Sequence, residues 1–276
     1  MTYGVPGRGA AYLVRGQRTA LIEAGTPRSA DALLDALRGE DVAYVFVTHV
    51  HLDHAGAAGA IAEAHPKATI VAHPRGVRHI ADPSRLIDGV RQASPDLFPL
   101  YGIPAPVPAD RLHEAADGET FDLGRGIEVR AIYSPGHAPH HVCYFESESR
   151  TLFAGDAVGN YGLPVGVPLT VPPRFDVEES RATLARLLDL HPRRLAFSHF
   201  GILSDGVEAH IEQYEREITV WFEQIRALRS DASTDDEVVR RVLGAPQCEV
   251  LTSSDRSALE MCVRGALMTL SANTKE

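Results

Sequence analysis

The chain has 276 residues, 44% of them hydrophobic and 23% charged, enough to bury a sizeable core and at odds with a mostly disordered protein. Its 37 acidic against 27 basic side chains give a formal charge of −10, a surface that repels phosphate backbones unless a local basic patch overrides it. No such patch is visible, so nucleic acid is not expected as a partner.

Three cysteines (Cys143, Cys248, Cys262) lack C-x-x-C spacing and are too scattered for a disulfide framework. The first residues show no basic region followed by an apolar stretch, and no 18-residue apolar run occurs. The expectation is a cytoplasmic protein with no membrane partner.

In chain order, Ala10 to Val14 and Thr19 to Glu23 are short β-type runs around Arg15-Gly16-Gln17-Arg18 and predict a hairpin. Ser29 to Arg38 predicts a helix with Leu33, Leu34 and Leu37 on one face. Val42 to Val47 is a short, almost wholly apolar run of the buried-strand type. Ala55 to Ala64 favours helix, and Ala68 to Ala72 predicts a further strand; this strand–helix–strand order suggests a layered α/β architecture.

Asp82 to Asp110 contains six prolines, so an irregular lid is expected there, anchored by Phe98, Leu100 and Tyr101. Strands return at Ile127 to Tyr133, His141 to Phe145 and Thr151 to Phe153. A second proline-rich loop, Leu163 to Arg174, precedes a helix from about Val177 to Leu190, and Arg194 to Ser198 is the last clear strand. After Gly201 only helices are expected, at about 205–229, 234–243 and 255–271. The division expected is 1–203 as one α/β domain and 204–276 as a helical C-terminal extension packed on it. Trp221-Phe222 in that extension suit either a homodimer face or core packing.

The strongest chemical signal is His49-Val50-His51-Leu52-Asp53-His54, four metal-competent side chains within six residues, directly after a strand. Imidazoles and a carboxylate suit zinc, iron or manganese. One ion could hardly use all four with good geometry, whereas two adjacent ions could. His137 after Ser134-Pro135-Gly136, Asp156 after Phe153-Ala154-Gly155, and His199 after Phe197-Ser198 each follow a strand, where sites form in layered folds. Two +2 ions about 3.5–4 Å apart repel by roughly 17–19 kcal/mol at an effective dielectric of ~20, so carboxylates are needed between and beside them. Asp156 is the candidate for the bridging position and Asp53 for the terminal one.

Together, Thr48 to Gly56, Ser134-Pro135-Gly136-His137, Gly155-Asp156 and Ser198-His199 resemble the successive motifs of the metallo-β-lactamase superfamily, in the family's order and over roughly residues 10 to 201. The resemblance implies a four-layer αββα sandwich with a dinuclear site at one edge. It implies one metal on His49, His51 and His137, a second on Asp53, His54 and His199, Asp156 bridging them, and a metal-bridging hydroxide as nucleophile with Asp53 helping to orient the water. Tyr161, five residues past Asp156, is a candidate for the leaving-group acid, although lactone-cleaving relatives place a tyrosine three residues past that aspartate, where this chain has Gly159. Glu23-Ala24-Gly25 stands where the family commonly has an aspartate. Asp156 argues against β-lactamase activity, because true β-lactamases of this fold lack it.

The group most similar is that of glyoxalase II and the lactonases. A hydrolase of a small ester, lactone or thioester is therefore expected, with two divalent metal ions, zinc first and iron or manganese as options. The alternative is a di-iron redox or sensing protein on the same ligands. Of the remaining histidines, His141 suits a supporting role for the ligands or simple packing. His65, His73, His79, His113, His191 and His210 are expected in helix or loop settings at the surface or as caps.

Overall fold

The computed structural model describes residues 8–160, 167–173, 175–199 and 201–272. Two sheets lie face to face. The first runs β1 (Tyr12–Arg15), β2 (Thr19–Ile22), β3 (Val42–Phe46), β4 (Thr69–Ala72), β5 (Leu112–Glu114), in that spatial order. Its β1–β2 pair is antiparallel and the other pairs are parallel. The second has the order β11 (Ile202–Leu203), β10 (Arg194–Phe197), β9 (Thr151–Gly155), β8 (Val142–Glu146), β7 (Ile127–Tyr133), β6 (Thr120–Gly124), antiparallel except for β9–β10.

Side-chain parity explains the layers. Successive residues of a strand face opposite sides of its sheet. Ala20, Ile22, Phe46, Val71, Val142, Tyr144, Phe153 and Ala196 form the core between the sheets. Their neighbours Leu21, Val45, Ile70 and Ala72 face the other way, onto α1 (Ala30–Ala36), α2 (Ala58–Ala64) and α3 (Pro74–Ala81). Cys143, Phe145, Leu152, Leu195 and Phe197 face α6 (Val177–Leu188), α7 (Val207–Asp231), α8 (Asp235–Leu243) and α9 (Ser253–Ala272). Strands covered on both faces read as continuous apolar runs, and this is why they stood out in the sequence. The sheets are pinned where Phe46 meets Phe121 and Tyr144 at ring-centroid distances of 4.9 and 4.8 Å, while the Tyr144 hydroxyl donates across to the Val47 carbonyl at 3.0 Å. The αββα sandwich and the helical C-terminal part are thus both present.

The segment 82–110 departs from expectation. It carries α4 (Ser84–Ala93) and the single turn α5 (Phe98–Tyr101). Two of its six prolines lie at helix starts: Pro83 precedes α4 and Pro99 is in the first turn of α5, where the missing N–H costs nothing, and the others lie outside both helices. Pro74 likewise opens α3, which was not anticipated, and the His73 side chain caps that helix by accepting from the Arg75 N–H at 3.0 Å. The short strands β5, β6 and β11 were also missed, because two to five residues are too few to carry a clear pattern. His113 accordingly lies on a strand, paired with Glu119, instead of in a helix or loop.

Trp221 and Phe222 are buried in the core under the second sheet, with the indole N–H donating to Thr170 Oγ1 at 3.0 Å, so this pair is spent on core packing. No helix among the described residues is long and apolar enough to cross a membrane.

Candidate metal centre

The ends of β3 in one sheet and of β7, β9 and β10 in the other point to the same edge of the sandwich. The chain leaving β3 tightens at once: the His51 carbonyl accepts from the N–H groups of both His54 and Ala55, both at 3.0 Å. This turn swings Asp53 and His54 back toward the segment that carries His49 and His51. After β9 the backbone turns at Gly155, which has φ +53°, and a Cβ there would lie 2.4 Å from His141 Nε2. Only glycine suits both demands. The turn lets the Asp156 N–H donate to His141 Nε2 at 3.1 Å, and this fixes the carboxylate.

The seven side chains singled out in the sequence come together. Ligand atoms of His49, His51, His137 and Asp156 lie within 4.8 Å of one another, as do those of Asp53, His54 and His199. The Asp156 carboxylate joins the groups: Oδ2 is 3.4 Å from His137 Nε2, 3.8 Å from His49 Nε2 and 3.5 Å from His54 Nε2, and Oδ1 is 3.4 Å from His199 Nε2. Asp53 sits 3.7 Å from His199 Nε2 and 3.9 Å from His54 Nε2.

Hydrogen bonds on the outer side of the rings set which nitrogen faces inward. His137 Nδ1 donates to the Leu169 carbonyl at 2.8 Å and His199 Nδ1 to the Arg8 carbonyl at 3.1 Å. His54 Nδ1 is 3.0 Å from Glu23 Oε1. Thr48 Oγ1 donates to Glu23 at 2.6 Å and so accepts from His49 Nδ1 at 3.1 Å. In its neutral form each of these four rings therefore carries its proton outward and turns Nε2 to the centre, the arrangement that metal-ligating histidines adopt.

The inward atoms have no adequate partners among the described residues. His49 Nε2 and His137 Nε2 lie 2.8 and 3.2 Å from His51 Nδ1, and His54 Nε2 and Asp156 Oδ1 are buried without any hydrogen bond. Three imidazole nitrogens bound tetrahedrally at 2.0–2.1 Å would stand roughly 3.3 Å apart, close to these spacings. Burying such groups unpaired is costly, so the donor set fits a pair of cations.

Electrostatics agrees. Burial, and then neighbouring imidazoles, hold His49 and His51 well below the ordinary histidine value, so both keep their lone pairs. Burial opposes charge on His54 too, but Asp156, Glu23 and Asp53 outweigh it and push that ring well above the ordinary value. His199 is raised in the same way, against burial, by Asp156 and Asp53. Burial would raise Asp156, yet His54, His199 and His137 hold it well below the usual carboxylate range. Carboxylate charge thus concentrates around Asp53, His54 and His199 and favours a cation there.

Two supports become clear only in three dimensions. Glu23 is buried, adopts φ +70°, and accepts from Thr48 Oγ1, Ser198 Oγ and His54 Nδ1 at 2.6, 2.6 and 3.0 Å. His141 acts on Asp156, so it supports the centre instead of merely packing. A cavity of 880 Å³ opens from His51, Asp53, His137, Asp156 and His199, and His79, expected at the surface, lines it together with His140. Tyr161 lies outside the described residues.

Residues 4–199 match the model of the metallo-beta-lactamase superfamily. The chain is 31% identical over 210 residues, 73% of this chain and 77% of the relative, to the metallo-beta-lactamase fold-containing protein ST1585 of Sulfurisphaera tokodaii. It is 24% identical over 252 residues, 85% of this chain and 68% of the relative, to an atrochrysone carboxyl ACP thioesterase of Aspergillus fumigatus. Among solved structures, that of the Sulfolobus tokodaii protein superposes with a TM-score of 0.73 at 24% identity, covering 96% of this chain and 94% of that one. Sandwich, motif order and convergent donors lead to one assignment: this chain belongs to the metallo-beta-lactamase superfamily.

Proposed function

We propose that the chain is a dinuclear metal-dependent hydrolase of an ester, thioester or lactone. The observation that carries this reading is the set of outward-tethered imidazoles whose free nitrogens converge with Asp53 and Asp156 on one buried point. His49, His51 and His137 would hold one cation and Asp53, His54 and His199 the other, with Asp156 shared. The all-nitrogen-and-oxygen donor set suits zinc, and also iron or manganese. Two divalent ions supply a water made acidic enough to attack at neutral pH and an electrophile for the scissile carbonyl.

The protein's own part is positioning. The cavity brings a small-molecule substrate to this edge. Asp53 lines that cavity with its carboxylate 3.7 Å from His199, placed to accept a proton from an incoming water and to orient it. Glu23 and His141 hold His54 and Asp156 in place, so the geometry is set before substrate arrives. The thioesterase named among the relatives supports acyl transfer as the chemistry. We further propose that residues 204–276 serve the 1–203 domain as a packed extension and that the protein works in the cytoplasm.

The test is metal-dependent turnover. Protein purified, stripped with chelator and reloaded with zinc should cleave members of an ester, thioester and lactone panel only in the loaded state. A metal-loaded protein inert toward the whole panel would sink the hydrolase reading. The same ligands bind iron, so metal analysis with a visible spectrum separates the di-iron redox alternative, which predicts a coloured iron protein.

A further inference from the structure

The cavity over the metal centre is larger than a small polar ester needs, and what lines it is informative. From the ligands it runs between α4, α9 and the loop 167–173, a space of 880 Å³, near the upper end of the usual range for small-molecule pockets. Leu86 and Val90 of α4, Leu169 and Val171 of the loop, and Leu259 and Met261 of α9 make its walls. The helices meet where Met261 packs with Leu52, Leu86, Val90, Leu97 and Tyr101, and where Ser94 Oγ lies 2.8 Å from Met261 Sδ. A sequence-distant C-terminal helix thus closes a largely apolar chamber over the hydrolytic edge.

Among the described residues, the charges along this chamber are mostly paired off. Arg8 is bound to Asp255 at 2.6 Å, and Arg264 to Glu260 and Asp236 at 2.7 and 2.9 Å. Arg85 is exposed. Among the described residues, a substrate carrying several anionic groups would find few cations not already paired, whereas an apolar chain would find aliphatic and thioether walls.

The geometry points to an ester or thioester whose acyl part is a medium or long apolar chain, lying between α4 and α9 with its carbonyl at the metal centre. This assignment rests on the hydrolase reading and narrows its substrate class. Cleavage breaks the acyl carbon–oxygen or carbon–sulfur bond with one water, giving an apolar carboxylic acid and an alcohol or thiol, so no further reactant is required.

Gly89 offers a direct handle. It lines the chamber in the middle of α4, its φ is not positive, and a Cβ built there meets nothing within 4 Å. Gly89→Phe should therefore fold, and helix propensity favours it, while its ring fills the space. The experiment is kcat/KM for zinc-loaded protein on p-nitrophenyl acetate, hexanoate and decanoate, with calorimetric binding of free decanoate as an independent readout. In the unsubstituted protein kcat/KM should climb by about fourfold per buried methylene, the equivalent of ~0.8 kcal/mol. The decanoate-to-acetate ratio should fall at least tenfold in Gly89→Phe, and decanoate should bind the unsubstituted protein but not the variant.

Acetate cleavage with no gain from chain length, or a ratio unmoved by Gly89→Phe, overturns the acyl chamber and leaves the hydrolase reading standing. Metal-loaded protein that cleaves none of the three esters and is also inert toward the wider ester, thioester and lactone panel overturns the hydrolase reading instead. Decanoate binding then decides the chamber by itself: binding lost in Gly89→Phe supports it, and no binding to either protein overturns it.

Discussion

Glu23 Oε1 lies 3.0 Å from His54 Nδ1, with both side chains almost fully buried, and the same carboxylate accepts the hydroxyls of Thr48 and Ser198. One acid therefore ties β2 to the segment after β3 and to the end of β10, and it sets the tautomer of His54. Glu23→Ala leaves three buried donors without an acceptor. We expect a loss of about 3–5 kcal/mol in folding stability, as for breaking a buried charged pair. Glu23→Gln keeps the shape but not the charge, and metal affinity at the Asp53, His54 and His199 group should drop about 10–100-fold. Chemical denaturation and chelator competition, respectively, read the two effects.

His141 presents an acceptor to the Asp156 N–H at 3.1 Å from a fully buried ring. His141→Phe keeps a planar ring, slightly larger, and removes that acceptor. Weaker metal retention, again about 10–100-fold, should follow with only a modest fall in thermal stability. Unchanged metal affinity in a folded His141→Phe protein would reduce His141 to packing.

Burial pushes the thiols of Cys143 and Cys262 up to about 12. At pH 8 each is then thiolate in roughly one molecule in ten thousand, against about a quarter for an unfolded thiol of pKa ~8.5. Native protein should leave both unlabelled by a maleimide at pH 8, while denatured protein labels all three cysteines. The linkage has a definite sign: the folded state keeps a proton that the unfolded chain releases. The stability tied to these thiols is therefore intact below about pH 8.5 and is lost as pH rises from there toward 12. Denaturation midpoints between pH 8 and 10 should fall accordingly.

Gly265 on α9 packs against the loop before α6 so closely that an added Cβ would lie 1.7 Å from the Thr170 carbonyl oxygen. Thr170 is already clamped, donating to the Cys262 carbonyl at 2.7 Å and accepting from Trp221 Nε1 at 3.0 Å. Gly265→Ala must push α9 off this loop, with an overpacking cost of about 1–3 kcal/mol or more. Thermal unfolding should register it. Because α9 walls the cavity, KM for any cleaved substrate should rise more than kcat falls.

The longer strands and the cluster of candidate metal-binding side chains were legible in the sequence for one reason: both leave local marks. Buried strands such as Val42–Phe46 are short apolar runs, and His49 to His54 crowds four donors into one strand end. What sequence alone obscured depends on distant contacts. Pro83 and Pro99 read as breakers because nothing local shows that each sits at a helix start. Glu23 looked like a substitution in a motif until Thr48, Ser198 and His54 were seen to converge on it. The cavity wall formed by Met261 and Leu259 lies about 200 residues from the first ligands in sequence and carries no pattern of its own.

The most direct check is metal stoichiometry by elemental analysis combined with titration of the stripped protein. Seven converging donors shared through Asp156 predict two ions per chain, and Asp156→Ala should retain no more than one while remaining folded. A folded chain that takes up no divalent metal, or an Asp156→Ala variant that still binds two as tightly, would contradict it.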